Sequence, residues 1–204
     1  MKIFAAPLAA VGLMIAGTVS AQPPASAPQA PTLVRGQVTA MTASALSVKS
    51  RTGETLTLNL TPTWTVSVMK PVAVDAIQPG SFIGTAEMPQ ADGTGLSLEV
   101  HVFPPGVKAG EGHYAWDLTP GSMMTNGTVG KVAPGAHGRE LDVSYPSGTR
   151  HIVVPANVPI VQISPGTQAL IKPGVSIFAI ARQGPNGLIT NAVATGEGGA
   201  APPM

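Results

Sequence analysis

The amino-acid sequence predicts an all-β protein of two tandem small β-barrels joined by an irregular, aromatic-containing linker, and three observations carry that prediction. The first is an internal repeat. Gly36-Gln37-Val38, Leu46-Ser47-Val48, Gly53, Ile77-Gln78-Pro79-Gly80, Gly95-Leu96 and Val100 recur in order as Gly127-Thr128-Val129, Leu141-Asp142-Val143, Gly148, Ile171-Lys172-Pro173-Gly174, Gly187-Leu188 and Val193. By subtraction the offsets are 91 for Val38 to Val129, 95 for Leu46 to Leu141, 94 for Pro79 to Pro173 and 92 for Gly95 to Gly187, a drift that small loop insertions explain. The second observation is a period of two in the apolar residues. Leu56, Leu58 and Leu60 alternate with Thr55, Thr57 and Asn59, and the pattern returns in Trp64, Val66 and Val68, in Leu96, Leu98, Val100 and Val102, and in Leu141 and Val143. The third is turn chemistry at short, regular spacing, as in Arg51-Thr52-Gly53-Glu54 and Tyr145-Pro146-Ser147-Gly148.

Taken in chain order, residues 1–21 read as a cleaved secretory signal: Lys2, an apolar run from Ile3 to Gly17, and the small residues of Val19-Ser20-Ala21. Residues 22–32 alternate Pro, Ala, Ser and Gln and read as a disordered spacer. Repeat 1 then occupies 33–103, the linker 104–125 and repeat 2 126–195, while the Gly/Ala/Pro-rich residues 196–204 read as a flexible tail. Helix signals are confined to single turns at Val72–Ile77 and Gln168–Ile171 before the Pro-Gly stops. Five or six short strands per repeat favour a barrel like the oligonucleotide/oligosaccharide-binding shape, because closure removes unpaired strand edges. A unit of about 70 residues buries only about 60% of its unfolded surface, so docking of the two units matters for stability.

Composition excludes several function classes. The chain has 11 Lys and Arg against 10 Asp and Glu, so loss of Lys2 with the signal leaves a formal charge of zero. Nucleic-acid binding, which rests on clustered cations, is not expected. Charged residues are 10% of the chain, against about 25% in an ordinary soluble domain, so weak association with itself or with an envelope partner is expected. There is no cysteine, hence no disulfide and no lipid-bearing thiol. After signal cleavage no stretch approaches the roughly 20 apolar residues of a spanning helix, and the protein is expected to be periplasmic or secreted.

The repeat signals, together with Glu99-Val100-His101-Val102-Phe103-Pro104 and the segment from Gly110-Glu111-Gly112-His113 through Trp116-Asp117-Leu118 to Met124-Thr125-Asn126, resemble a family of exported bacterial proteins catalogued as a domain of unknown function, the one numbered 5666. The resemblance covers nearly the whole mature chain and implies a small β-barrel and export, but no activity. Similar proteins are sometimes labelled metal transporter permeases; such a protein needs several spanning helices, and this sequence has none.

Two sets of residues are candidates for function. From Phe103 to Asn126 the strand period is lost, yet the segment holds Phe103, Tyr114 and Trp116, an interaction patch if exposed and a seam filler between barrels if not. His101, Glu111, His113 and Asp117 could supply imidazole and carboxylate ligands to a divalent metal, although their spacing matches no standard zinc pattern. His101 shares its strand parity with Ser97 and Glu99, so its ring should face away from the core toward the linker. His137 and His151 read as surface histidines. No nucleophile elbow, His-Glu-x-x-His or phosphate loop occurs, so no enzyme and no required cofactor are expected. The leading expectation is an exported, non-enzymatic interaction or structural module of the cell envelope. A periplasmic metal-binding accessory using His101 and His113, or an oligosaccharide-binding barrel, are the alternatives.

Overall fold

A computed structural model describes residues 30–136 and 138–204 of the chain. The predicted signal peptide, most of the predicted spacer and His137 lie outside the described residues. The protein is all-β, as the alternation predicts. Its strands are β1 (Thr32–Met41), β2 (Ala45–Ser50), β3 (Thr55–Pro71), β4 (Phe82–Pro89), β5 (Gly95–Val102), β6 (Gly112–Ala115), β7 (Met123–Gly135), β8 (Gly138–Tyr145), β9 (Gly148–Pro155), β10 (Ile160–Gly166), β11 (Ser176–Gly184) and β12 (Gly187–Gly196). Single 3-10 turns at Val74–Ala76 and Gln168–Leu170 sit where the short helical signals predict them.

The strands close into two five-membered rings, but neither ring is one sequence repeat. In the first, β1 pairs β2, β2 pairs β3, β3 pairs β12 in parallel, β12 pairs β11 and β11 returns to β1. In the second, β5 pairs β4, β4 pairs β7, β7 pairs β8, β8 pairs β9, and β9 returns to β5 through the short parallel pairing Gly95↔Ile152 and Leu96↔Val153. Each barrel therefore takes three strands from one half of the chain and two from the other. The expected sequential barrels, 33–103 and 126–195, are corrected accordingly: the halves exchange their last two strands. The physical cause is β3. At 17 residues it spans about 56 Å, so it leaves the first barrel's wall and delivers the chain to the second, where Ile77 enters the core and the Pro79-Gly80 turn (Gly80 φ 85°) starts β4.

The exchange has an internal two-fold symmetry. β10, the continuation of β9, runs antiparallel to the far half of β3 with Val161↔Pro71, Ile163↔Met69 and Pro165↔Ser67. Met69 and Ile163 are 94 residues apart by subtraction and face one another, so the pseudo-axis passes through that pair. The cores obey the same symmetry. Val38, Leu46, Val48, Leu58, Val66, Ile171, Ile177 and Val193 fill the first barrel; Val129, Leu141, Val143, Ile152, Ile160, Ile77, Ile83 and Val100 fill the second. A smaller cluster of Met69, Val161, Phe178, Ala194 and Met204 forms the seam.

The repeated Gly-x-Val signal has a steric reason. Each of these glycines lies where its strand presses against the next: a Cβ on Gly36 would come within 2.2 Å of the Lys49 carbonyl oxygen, and one on Gly127 within 2.4 Å of the Ser144 carbonyl oxygen. Backbone cannot yield as a flexible side chain can. Gly36→Ala is expected to cost about 3 kcal/mol and to lower the Tm by about 10 °C in thermal unfolding; an unchanged Tm would refute the close approach.

Three further expectations need correction. The linker is not wholly irregular, because Gly112–Ala115 forms β6 on the edge of β7 and β7 itself starts at Met123. A four-residue strand is too short to show a period. Residues 196–204 are not a loose tail: the Gly196 amide bonds the Ala200 carbonyl, Met204 is buried in the seam and the Arg35 Nε donates to the Met204 carbonyl at 2.8 Å. Finally, the apolar parity of β5 breaks at a bulge opposite Ala86 and Glu87, so that Leu96 is exposed and Ser97 buried. The Ser97 hydroxyl settles the bulge by donating to the Glu99 carbonyl at 3.0 Å, and Thr190 does the same toward Ala192 at 2.9 Å in the other repeat.

Candidate functional site

The two barrels share a scaffold but differ in chemistry at one end. In the first, the end is closed by Val34, Ala179 and Ala181 with Leu56 packed beside them. At the repeat-related positions the second carries Thr125, Thr85, Glu87 and Arg150. Glu87 and Thr125 are fully buried. The Arg150 Nε donates to Glu87 Oε1 at 2.7 Å, while its two terminal nitrogens donate to the Gly93 and Thr94 carbonyls at 2.8 and 3.0 Å. Gly95 has no side chain because Glu87 occupies the space: a Cβ there would lie 1.8 Å from Oε2. Burial holds the Glu87 carboxyl above the ordinary carboxylate range, and the hydrogen bonds and charge of Arg150 pull it back only in part. The polar cluster is a plug, with Oε1 committed to Arg150 and Oε2 facing Gly95.

His113, on β6, closes over this plug. Its Nδ1 lies 2.8 Å from the Thr125 hydroxyl and 3.7 Å from Glu87 Oε1, and its ring stacks on Tyr145 at 6.1 Å. Burial, with Arg150 nearby, holds the imidazole below its ordinary range, which keeps it neutral at neutral pH.

A second polar cluster lies on the outer face of the same barrel. His101 is buried and its Nδ1 is hydrogen-bonded to Glu99 Oε2 at 3.1 Å. Glu99 is itself pinned through Oε1, which accepts the Ala86 N–H at 2.8 Å. Across Gly84, Asn126 donates from Nδ2 to the Gly110 carbonyl at 2.9 Å and to the Tyr114 hydroxyl at 2.7 Å. These bonds tie the linker down, and burial raises the Tyr114 phenol above its ordinary range.

The linker aromatics meet at the seam. Trp116 packs on Phe178 at 6.2 Å and under the Arg35 guanidinium at 5.6 Å, and Tyr114 meets it edge-on at 6.3 Å. Phe103 lies against His101 at 5.3 Å. All three line one groove of about 890 Å³ that runs over the seam and along the outer face of the first barrel. Its far wall presents Ile180 and Ile189, 47% and 36% exposed.

The four predicted metal ligands are not brought together. His101 bonds Glu99, His113 bonds Thr125, Asp117 pairs with Arg35 at 2.7 Å and Glu111 is exposed. Among the described residues no three or more His, Cys, Asp or Glu are placed to hold a metal ion. His101 shares its face with Glu99, opposite Gly84 and Ala86, whereas the bulge puts Ser97 with Glu87 on the other face. His151 lies at the surface, bonded to Asp142 at 2.8 Å. Glu87, Glu99 and Arg150 were not singled out from the sequence. The signal that finds them is a comparison of the repeats, which sets these charged residues against Ala181, Ala192 and Leu56.

Among the described residues no helix is long and apolar enough to cross a membrane. Comparison with protein-family models, with curated proteins and with solved structures finds no match.

Proposed function

We propose that the protein is an exported, non-enzymatic interaction module of the bacterial envelope, with the seam groove as its contact surface. One observation carries this reading: Phe103, Tyr114 and Trp116 converge with the exposed Ile180 and Ile189 on a single apolar groove. Contiguous exposed apolar surface of this kind costs solubility unless something covers it, and aromatic side chains concentrate binding energy where they are desolvated. The signal-like N-terminus supports export. The polar plug of the second barrel gives no support to an enzyme, because its carboxylate is held by Arg150 instead of facing a cavity. The alternative metal reading has no shared donor set for His101 and His113, so it is the weaker of the two.

Trp116 is a poor probe, since its removal would open the seam. Ile180→Lys tests the groove without touching the cores, because Ile180 is half exposed. Affinity capture from native envelope extract is expected to recover a defined partner with the unaltered protein and to lose it, by tenfold or more, with Ile180→Lys. The β-rich circular dichroism spectrum should be kept. Equal recovery with both proteins would reject the groove as the contact surface.

A further inference from the structure

The groove has a polar anchor at one end. His101 and Asn126 are 3% and 4% exposed, and both line it. Asn126 Oδ1 is buried without a hydrogen-bond partner. Its identity as the oxygen is secured by the Gly110 carbonyl, which can only accept and therefore takes the amide nitrogen. His101 Nε2 lies beside Oδ1, the ring being held through Nδ1 by Glu99 Oε2. Both atoms lean over Gly84: a Cβ there would lie 2.0 Å from Nε2 and 2.1 Å from Oδ1, so the two are within about 4 Å of each other. A buried acceptor with no donor is costly, and the cost is relieved by a group that brings one.

We infer that the groove takes an uncharged, apolar peptide segment, one backbone N–H of which is received by Asn126 Oδ1. This rests on the groove being the contact surface. Three features select a peptide. Among the described residues Arg182 is the one Lys, Arg, Asp or Glu along the groove, so no strongly charged ligand is matched. The walls beyond the anchor are more apolar than polar, with Val107, Ile163, Ile180 and Ile189 set among Ser and Thr, and the aliphatic residues suit branched side chains. A sugar would need open aromatic platforms, and of the aromatic residues here Tyr114 is exposed at 39% while Phe178 is buried. The Trp116 Nε1, also buried without a partner, offers the donor that a peptide carbonyl would satisfy.

The probe is acetyl-valyl-leucyl-valine amide at millimolar concentration, compared with its analogue methylated on every amide nitrogen and with a chitin tetrasaccharide. The readout is the Trp116 indole N–H resonance of labelled protein, with Trp64 in the first barrel's core as the internal reference. The peptide is expected to shift the Trp116 signal saturably and the methylated analogue to bind at least about tenfold more weakly, as for the loss of one buried hydrogen bond. Equal binding of both peptides overturns the inference, and so does a signal that moves with protein concentration alone, which would mark a second copy as the occupant. A response to the tetrasaccharide in place of the peptides also overturns it while leaving the groove as the contact surface. No response to any probe removes both readings.

Discussion

Residues 30–103 and residues 123–204, produced separately, are expected to be unfolded as monomers and to regain β structure when mixed. Each half supplies three strands of one barrel and two of the other, so alone it leaves β1 and β3, or β7 and β9, without the neighbours that close the ring. The cores are divided in the same way: Ile77, Ile83 and Val100 belong to the barrel built mainly by the second half, and Ile171, Ile177 and Val193 to the one built by the first. A half therefore loses ring closure and roughly half of each core at once, which exceeds the few kcal/mol that stabilise a unit of this size. The first half has a second option. Because the exchange is nearly symmetric about the Met69 and Ile163 pair, two copies of residues 30–103 can trade their last two strands and fold as a dimer. Circular dichroism and sedimentation of the separate and mixed halves measure this, and a cooperatively folded monomeric half would refute the requirement for exchange.

Arg150→Leu is the point substitution with the largest expected effect, about 3–5 kcal/mol of lost stability near neutral pH, because it leaves the Glu87 carboxylate buried without its counter-charge. Thermal unfolding should fall by about 10–15 °C. The double substitution Glu87→Ala with Arg150→Leu rebuilds the apolar end of the first barrel, where Ala181 and Leu56 stand, and should recover most of the loss. The pH dependence has a defined sign. The folded Glu87 carboxyl is raised above its ordinary value of 4.5 by burial, so the fold binds this proton more tightly than the unfolded chain does. The stability contributed by this group is complete below the ordinary value and is lost as pH rises through the folded one. Without Arg150 the carboxyl moves further up, so the Arg150→Leu penalty shrinks on acidification and is greatest at neutral and alkaline pH. A penalty that is independent of pH, or a double substitution no better than the single, would assign the plug no role in stability.

The groove and the plug differ in how far the sequence announces them. Phe103, Tyr114 and Trp116 stand out as aromatics in a segment without strand period, and they do line one surface. The expectation that His101, Glu111, His113 and Asp117 converge fails, because nearness along the chain does not set direction: β6 turns His113 toward Thr125, and Asp117, two residues past its end, pairs with Arg35. Glu87 and Arg150 are 63 residues apart. Neither belongs to a motif, and only the pairing of β4, β5 and β9 brings them into contact.

Period-two alternation and the duplicated Gly, Pro and apolar landmarks are local properties, readable one strand at a time, and they were enough to establish an all-β chain built twice from one pattern of strands and turns. Which strands close on which was decided by the tertiary structure alone. A strand's inward face looks the same whether its neighbour comes from its own repeat or from the other, since the two repeats offer nearly interchangeable apolar stripes. The length of β3 resolves that degeneracy by carrying the chain across the seam, and the groove, its Asn126 anchor and the Glu87 and Arg150 plug all follow from the crossing.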